Sequence, residues 1–182
     1  MLFLLYKLIM IAQQPILLKK INMNTLYRSI KASDNIALAS IIRSGIEAFN
    51  LPTVGTAHSD PTTDHLFQLF SAPNSYYIVL EIAGEVMGGC GIYPTNGLPN
   101  KHAELVRFFL DKKAQGNGFG KILIQQCEEL AKQFGYTHLY LESFPEMEAA
   151  IHLYELYNFK RIEKQLGNSG HFSCNVYMLK EL

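Results

Sequence analysis

The chain has no tryptophan and only three cysteines, and its charges leave no surplus of either sign, with 16 Lys+Arg standing against 16 Asp+Glu. Each scarcity excludes something. Cys90, Cys127 and Cys174 are odd in number and far apart, so neither a disulfide framework nor a CxxC metal or redox pair can be built from them. The six histidines are equally scattered, with no HxxxH or HExxH pair to place two imidazoles on one helical face. His65 beside Asp64, with Asp60 nearby, comes nearest to a metal cluster, and it reads as a polar helix start after Pro61, so no metal is expected. Zero net charge argues against nucleic acid as a partner, because backbone recognition needs a concentrated basic face. Long apolar runs are scarce too. The stretch from Leu2 to Ala12 is cut by Gln13, Gln14 and Pro15 before it reaches the ~20 residues that span a bilayer. It also lacks the cationic lead and small-residue cleavage site of a signal peptide. No membrane association is expected, and the location expected is the cytoplasm.

What is present suits a single core. Hydrophobic residues make up 48% and aromatics 12% of 182 residues, whereas charged residues make up 18%, too few for a solvated chain. The neutral total hides an uneven distribution. Residues 1–22 carry Lys7, Lys19 and Lys20 with no acid, and residues 23–182 carry 13 basic against 16 acidic groups. Residues 1–22 are therefore expected to be an N-terminal extension outside a domain spanning 23–182, with Met23 a second plausible start.

Periodicity orders the elements. A strand is expected over Thr25–Lys31, then a helix capped at Ser33-Asp34 with Ile36, Ala39, Ile42, Ile46 and Phe49 at helical spacing. A Pro/Gly/Thr-rich loop over 51–63 precedes a short helix through Leu66, Leu69 and Phe70. Tyr76–Ile82 and Val86–Tyr93 read as a hairpin about Gly84-Glu85, and its second strand is slimmed by Gly88, Gly89 and Gly91, the mark of a bulge or a close approach. After the loop 94–100, His102–Leu110 reads as a central strand. A helix from Phe119 to Phe134 follows and ends at Gly135. Next come a buried strand over Thr137–Glu142 and a helix with Met147, Ala150, Ile151, Tyr154 and Tyr157 on its inner face. Asn158 is expected in the left-handed conformation, before strands Phe159–Glu163 and Cys174–Leu179. The class is α/β, with a mixed, largely antiparallel sheet flanked by helices on both faces.

The chemically informative segment is Gln115-Gly116-Asn117-Gly118-Phe119-Gly120-Lys121. Three glycines at alternate positions between a strand and a helix let successive N–H groups face one anion, aided by the helix dipole. The dinucleotide pattern GxGxxG fails because the third glycine comes one residue early. The Walker A pattern fails because Gln115 and Ile122 stand where glycine and Ser/Thr are required.

The segment does match Q/R-x-x-G-x-G/A through Gln115, Gly118 and Gly120, and here the chain resembles the GNAT family of N-acetyltransferases over about residues 25–180. Ala150-Ile151-His152-Leu153-Tyr154-Glu155 with Asn158-Phe159 is similar to that family's A-x-x-L-Y-E-x-x-G-F signature, Asn158 replacing the glycine. Two further stretches, Gly55-Thr56-Ala57 with Asp60-Pro61, and Leu166 to His171 with Cys174, resemble a bacterial subfamily of small uncharacterised acetyltransferases.

The resemblance implies acetyl-CoA as co-substrate. Its pyrophosphate is expected on Gln115, Gly116, Asn117, Gly118, Phe119, Gly120 and Lys121, and its pantetheine along the backbone of Phe108 and Leu110. Gln115, standing for the commoner Arg, removes one charged phosphate contact; Lys112 and Lys113 either face phosphate or are simply solvated. Tyr154 is implied as general acid toward the leaving thiolate. Glu104, the only carboxylate on the central strand, is the expected general base, with substrate binding or pairing to Arg107 as its alternatives. His171, between Gly167 and Gly170, is a tentative substrate-binding residue. The expected activity is acetylation of the primary amine of a small molecule, amino-acid-like in one version. A silent acyl-CoA-binding sensor and a protein acetyltransferase are the competing readings. A homodimer through the last strands is the remaining expected partner.

Overall fold

The computed structural model describes residues 24–182; the extension expected over residues 1–22, and the start at Met23, lie outside the described residues. Strand β1 (Thr25–Ser29) leads through a 3-10 turn (Ala32–Asp34) into helix α1 (Asn35–Ala48). A second 3-10 turn (Pro61–His65) runs into the short helix α2 (Leu66–Leu69). Strands β2 (Tyr76–Ile82), β3 (Glu85–Tyr93) and β4 (His102–Leu110) follow. The chain closes with α3 (Phe119–Gln133), β5 (His138–Ser143), α4 (Glu148–Leu156), β6 (Lys160–Ile162) and β7 (Val176–Glu181). The seven strands are ordered β1-β2-β3-β4-β5-β7-β6, and every pair is antiparallel except β4 with β5.

Alternation along β2 sorts the core into two layers. Ile78 and Leu80 join Leu123, Ile124, Cys127 and Ile151 on the face covered by α3 and α4, while Tyr77 and Val79 join Leu38, Ile42, Ile46 and Leu66 under α1 and α2. The spacing of Leu38, Ile42 and Ile46 turns one stripe of α1 to the sheet. Asn158 takes φ +64, as its place after α4 requires.

Three expectations need correction. Asp34 does not cap α1 with its side chain. It is buried and accepts the Lys31 N–H at 2.7 Å while Arg28 grips it at 2.7 and 3.0 Å, so the ion pair draws the carboxylate into the turn before the helix. The hairpin turn is Ala83-Gly84, both at positive φ, because a two-residue turn of that hand matches strand twist. The final strand starts at Val176, because Cys174 instead accepts Tyr177 Oη on its carbonyl and donates its N–H to His171. β7 lies between β5 and β6, so at that end of the sheet the free edge belongs to three-residue β6.

Candidate active site

β4 and β5 are paired only from His102–Glu104 to His138–Tyr140 and part beyond Glu104, leaving the rest of β4 with no partner on its β5 side. Across β4 the register to β3 slips, so that Arg107 and Phe108 both face the single residue Cys90. This is a bulge, and Arg107 takes φ +53, a conformation that costs a non-glycine residue roughly 1–2 kcal/mol. The expected thinness of β3 explains what holds it. A side chain at Gly91 would meet the rings of Phe70 and Tyr77 at 2.5 and 2.8 Å, so without one Tyr77 lies against the strand and reaches across it to donate its hydroxyl to the Arg107 carbonyl at 2.9 Å.

The Arg107 side chain, 4% exposed, finishes the restraint. Nη2 donates to Asp60 Oδ2 at 2.6 Å and to Thr62 Oγ1 at 3.1 Å, and Nη1 lies 3.0 Å from His171 Nε2. That ring nitrogen is also 3.1 Å from Asp60 Oδ2, so it can accept from arginine or donate to aspartate, one at a time. Asp60 is fixed locally because it caps the Pro61–His65 turn, accepting the Thr62 N–H at 2.8 Å with Pro61 at the first position. Burial alone would raise the Asp60 carboxyl, but His171, Thr62 and Arg107 outweigh it and hold it far below the usual range. The two subfamily-like stretches thus meet over the bulge. Ser173 N–H donates to the Gly55 carbonyl at 3.1 Å, and the Phe172 ring lies where a Gly55 side chain would be.

Beneath this clamp is a chamber of about 70 Å³ in the opening between β4 and β5, bordered by Glu104, Glu142, Tyr154, His171 and Cys174. Glu104 does not pair with Arg107: it is 3% exposed and accepts from Thr95 on Oε2. Burial, reinforced by the Glu142 charge, pushes it up to about 8 against the opposing pull of Thr95 and Arg107. Because this folded value exceeds the unfolded one, the stability Glu104 contributes is complete below the ordinary carboxylate range and is lost as pH rises toward about 8. Tyr154 packs between Phe108 and Phe159, at 6.0 and 5.9 Å between ring centres, and burial with nearby Cys90 raises its phenol, which stays protonated at neutral pH. Burial likewise pushes the Cys174 thiol up to about 12, so it is no ready nucleophile.

On the other side of Phe108, Phe109 and Met147 lies an open cleft of about 450 Å³. Its walls are α1 at Gly45 with Phe49 just beyond its end, the end of β4 at Leu110, and α4 at Leu153. Gly116 and Gly118 have φ +76 and +81, and Gly118 is the residue before α3. The N–H groups of Gly116, Asn117, Gly118, Phe119 and Gly120 donate to no acceptor among the described residues, so five successive donors open the helix. Gln115 lines the cleft, but its amide donates to the Leu110 carbonyl at 2.9 Å. Lys121, Lys112 and Lys113 are exposed; of the three only Lys121 lines the cleft.

The structure therefore brings Glu104, Tyr154 and His171 to one chamber and Phe108, Leu110 and residues 115–121 other than Asn117 to the adjoining cleft. Asn117 faces its own loop, donating to Ala114 and Gln115 carbonyls. Sequence reasoning missed Thr95, Glu142 and the use of Asp60. None of the three carried a usable signal in the sequence: Glu142 shares a face with Tyr140, the register partner of Glu104, but that register appears only in the fold. Among the described residues, no group of three or more His, Cys, Asp and Glu is placed to hold a metal ion, and no helix is long and apolar enough to cross a membrane.

Residues 43–159 match the model of the acetyltransferase (GNAT) family. The chain is 36% identical over 156 residues to the uncharacterized N-acetyltransferase YjgM of Escherichia coli, an alignment covering 85% of this chain and 93% of the relative. It is 31% identical over 114 residues to the spermine/spermidine N(1)-acetyltransferase of Bacillus subtilis, covering 59% of this chain and 72% of that one. The crystal structure of the PaiA N-acetyltransferase of Thermoplasma acidophilum in complex with coenzyme A superposes with a TM-score of 0.70 at 15% identity, over 88% of this chain and all of that one. The chain belongs to the GNAT family and is an N-acetyltransferase.

Proposed function

We propose that this GNAT N-acetyltransferase moves an acetyl group from acetyl-CoA directly to the primary amine of a small molecule. The observation that carries the reading is that Glu104 and Tyr154, a candidate base and a candidate acid, border one chamber that adjoins the glycine-loop cleft across Phe108. The residues present suit the co-substrate. Five free N–H groups at the start of α3, with Lys121 beside them, fit a pyrophosphate, and the edge of β4 beyond Glu104, without a strand partner on its β5 side, fits the amides of pantetheine at Phe108 and Leu110, where Gln115 already donates to the Leu110 carbonyl. The coenzyme A bound by the archaeal neighbour and the acetylation of spermine and spermidine named for the Bacillus relative support the donor and the acceptor class respectively.

Acetyl-CoA, when bound, supplies the acetyl group as a thioester. Glu104 takes a proton from the incoming ammonium, and its value of about 8 matches that task better than an ordinary carboxylate would. As the C–N bond forms and the C–S bond breaks, Tyr154 gives its phenolic proton to the leaving sulfur; the second proton that the nitrogen sheds to become an amide restores the phenol, and Glu104 returns its own proton to solvent. Arg107, locked in the bulge, turns the β4 backbone toward the reacting carbonyl.

Release of free thiol from acetyl-CoA over a panel of primary amines tests the reading. Turnover of at least one small amine is expected, with kcat falling about 10²-fold in Tyr154→Phe while acetyl-CoA binding is kept. Tight acetyl-CoA binding with no turnover of any amine would establish the sensor instead, and acetylation confined to peptides would establish a protein acetyltransferase.

A further inference from the structure

The charges around the chamber are unbalanced in a way the reaction alone does not require. Glu104 is 3% exposed, and its only side-chain hydrogen bond among the described residues is the one Oε2 accepts from Thr95, which leaves Oε1 without a donor. Facing it from β5, Glu142 is held by three neutral donors, Tyr140 Oη at 2.9 Å, Gln165 Nε2 at 3.0 Å and Ser169 Oγ at 2.9 Å, which orient its charge without cancelling it. The one Lys or Arg bordering the chamber among the described residues is Arg107; its Nη1 and Nη2 are committed to His171, Asp60 and Thr62, and its Nε is buried with no hydrogen-bond partner and sealed from solvent. Of the other ionisable groups there, Cys174 and Tyr154 are neutral, and His171 Nε2 is held between Arg107 Nη1 and Asp60 Oδ2. Two carboxyl groups, Glu104 and Glu142, thus border a small space whose one guanidinium has its terminal nitrogens engaged, with Asp60 tying that cation down from outside the lining.

We infer that Glu104 and Glu142 form an ammonium site whose preferred acceptor is a cationic amine carrying no carboxylate beside the amine, and that Glu142 is the residue that sets this preference. The inference rests on the proposed reaction and narrows its substrate away from the amino-acid-like acceptor. A cation entering between the two carboxyl groups favours the ionised form of both. A carboxylate entering there meets like charge at close range and loses its hydration shell without gaining a partner.

Matched acceptors test this without relying on any variant: phenylalanine against phenethylamine, and leucine against isoamylamine, each assayed for acetyl-CoA-dependent thiol release by the full chain. The decarboxylated member of each pair is expected to have a kcat/KM at least about tenfold higher, and Glu142→Gln to shrink that ratio to about threefold or less. Equal or better use of the amino acids by the unaltered protein, or an unchanged ratio in Glu142→Gln that still binds acetyl-CoA, would overturn the inference while leaving amine acetylation intact. No turnover of any of the four, or of a wider amine panel, would instead remove the reaction on which it rests.

Discussion

The cleft beside the glycine loop offers main-chain N–H groups from five consecutive residues, Gly116 to Gly120, whereas the chamber behind Phe108 is assembled from side chains of separate stretches around Asp60, Glu104, Glu142, Tyr154 and His171. On the proposed reaction, the difference lies in what each region must do. A pyrophosphate can be held by any residues that keep φ positive where the turn needs it, so the loop depends on glycine and little else. An amine must be stripped of a proton and aimed, which takes ionisable groups buried in a set geometry, and burying Glu104 costs stability above the ordinary carboxylate range. One region is local and tolerant; the other is distributed and costly.

That contrast can be broken from either side. The largest separable effect is expected for Gly118→Val. Forcing a β-branched residue to φ +81 costs about 1–2 kcal/mol or more, so the acetyl-CoA Kd, measured by calorimetry, rises about tenfold or more while the KM for the amine stays within about twofold. A smaller effect on the opposite side is expected for Asp60→Asn. Loss of its charge loosens Arg107 and the bulge, and kcat falls about tenfold with acetyl-CoA binding nearly unchanged. If instead both parameters moved together in either variant, the two regions would be one cooperative unit. The smallest effect is expected at Gln115. With its amide turned to the Leu110 carbonyl, Gln115→Ala changes acetyl-CoA affinity less than about threefold, and a larger loss would show that this side chain reaches the phosphates.

The same contrast governs how much could be read in advance. The element order, the glycine loop and the place of Asn158 follow from local rules of periodicity and backbone hand, and strands β2 and β4 fall where alternation puts them. That Glu104 and Tyr154 would face one space was legible because each sits on an element with a clear register or signature; their proposed roles rest on the reaction proposed above. The clamp was not. Asp60 and Arg107 are 47 residues apart and His171 lies 64 further on, and only the closing of two loops over the bulge brings them within hydrogen-bond reach. Arg107 itself reads as an ordinary strand residue, since nothing local announces that Gly91 lets Tyr77 reach across β3 to its carbonyl. Glu142 escaped notice because its importance depends on the splay of β5 from β4, a tertiary fact.

The central claim is that the glycine-loop cleft holds the donor while the chamber performs the proton transfer, and Glu104→Gln tests it most directly when acetyl-CoA affinity and amine turnover are measured on the same preparation. Glutamine keeps the shape and the hydrogen bond to Thr95 but cannot take a proton. The expected result is an acetyl-CoA Kd within about twofold of the unaltered protein and a kcat/KM for the amine about 10²-fold lower, with loss of the rise in rate through a pH of about 8 that is expected of the unaltered protein. Undiminished turnover with the same pH profile, or a loss of acetyl-CoA binding that matches the loss of turnover, would contradict it.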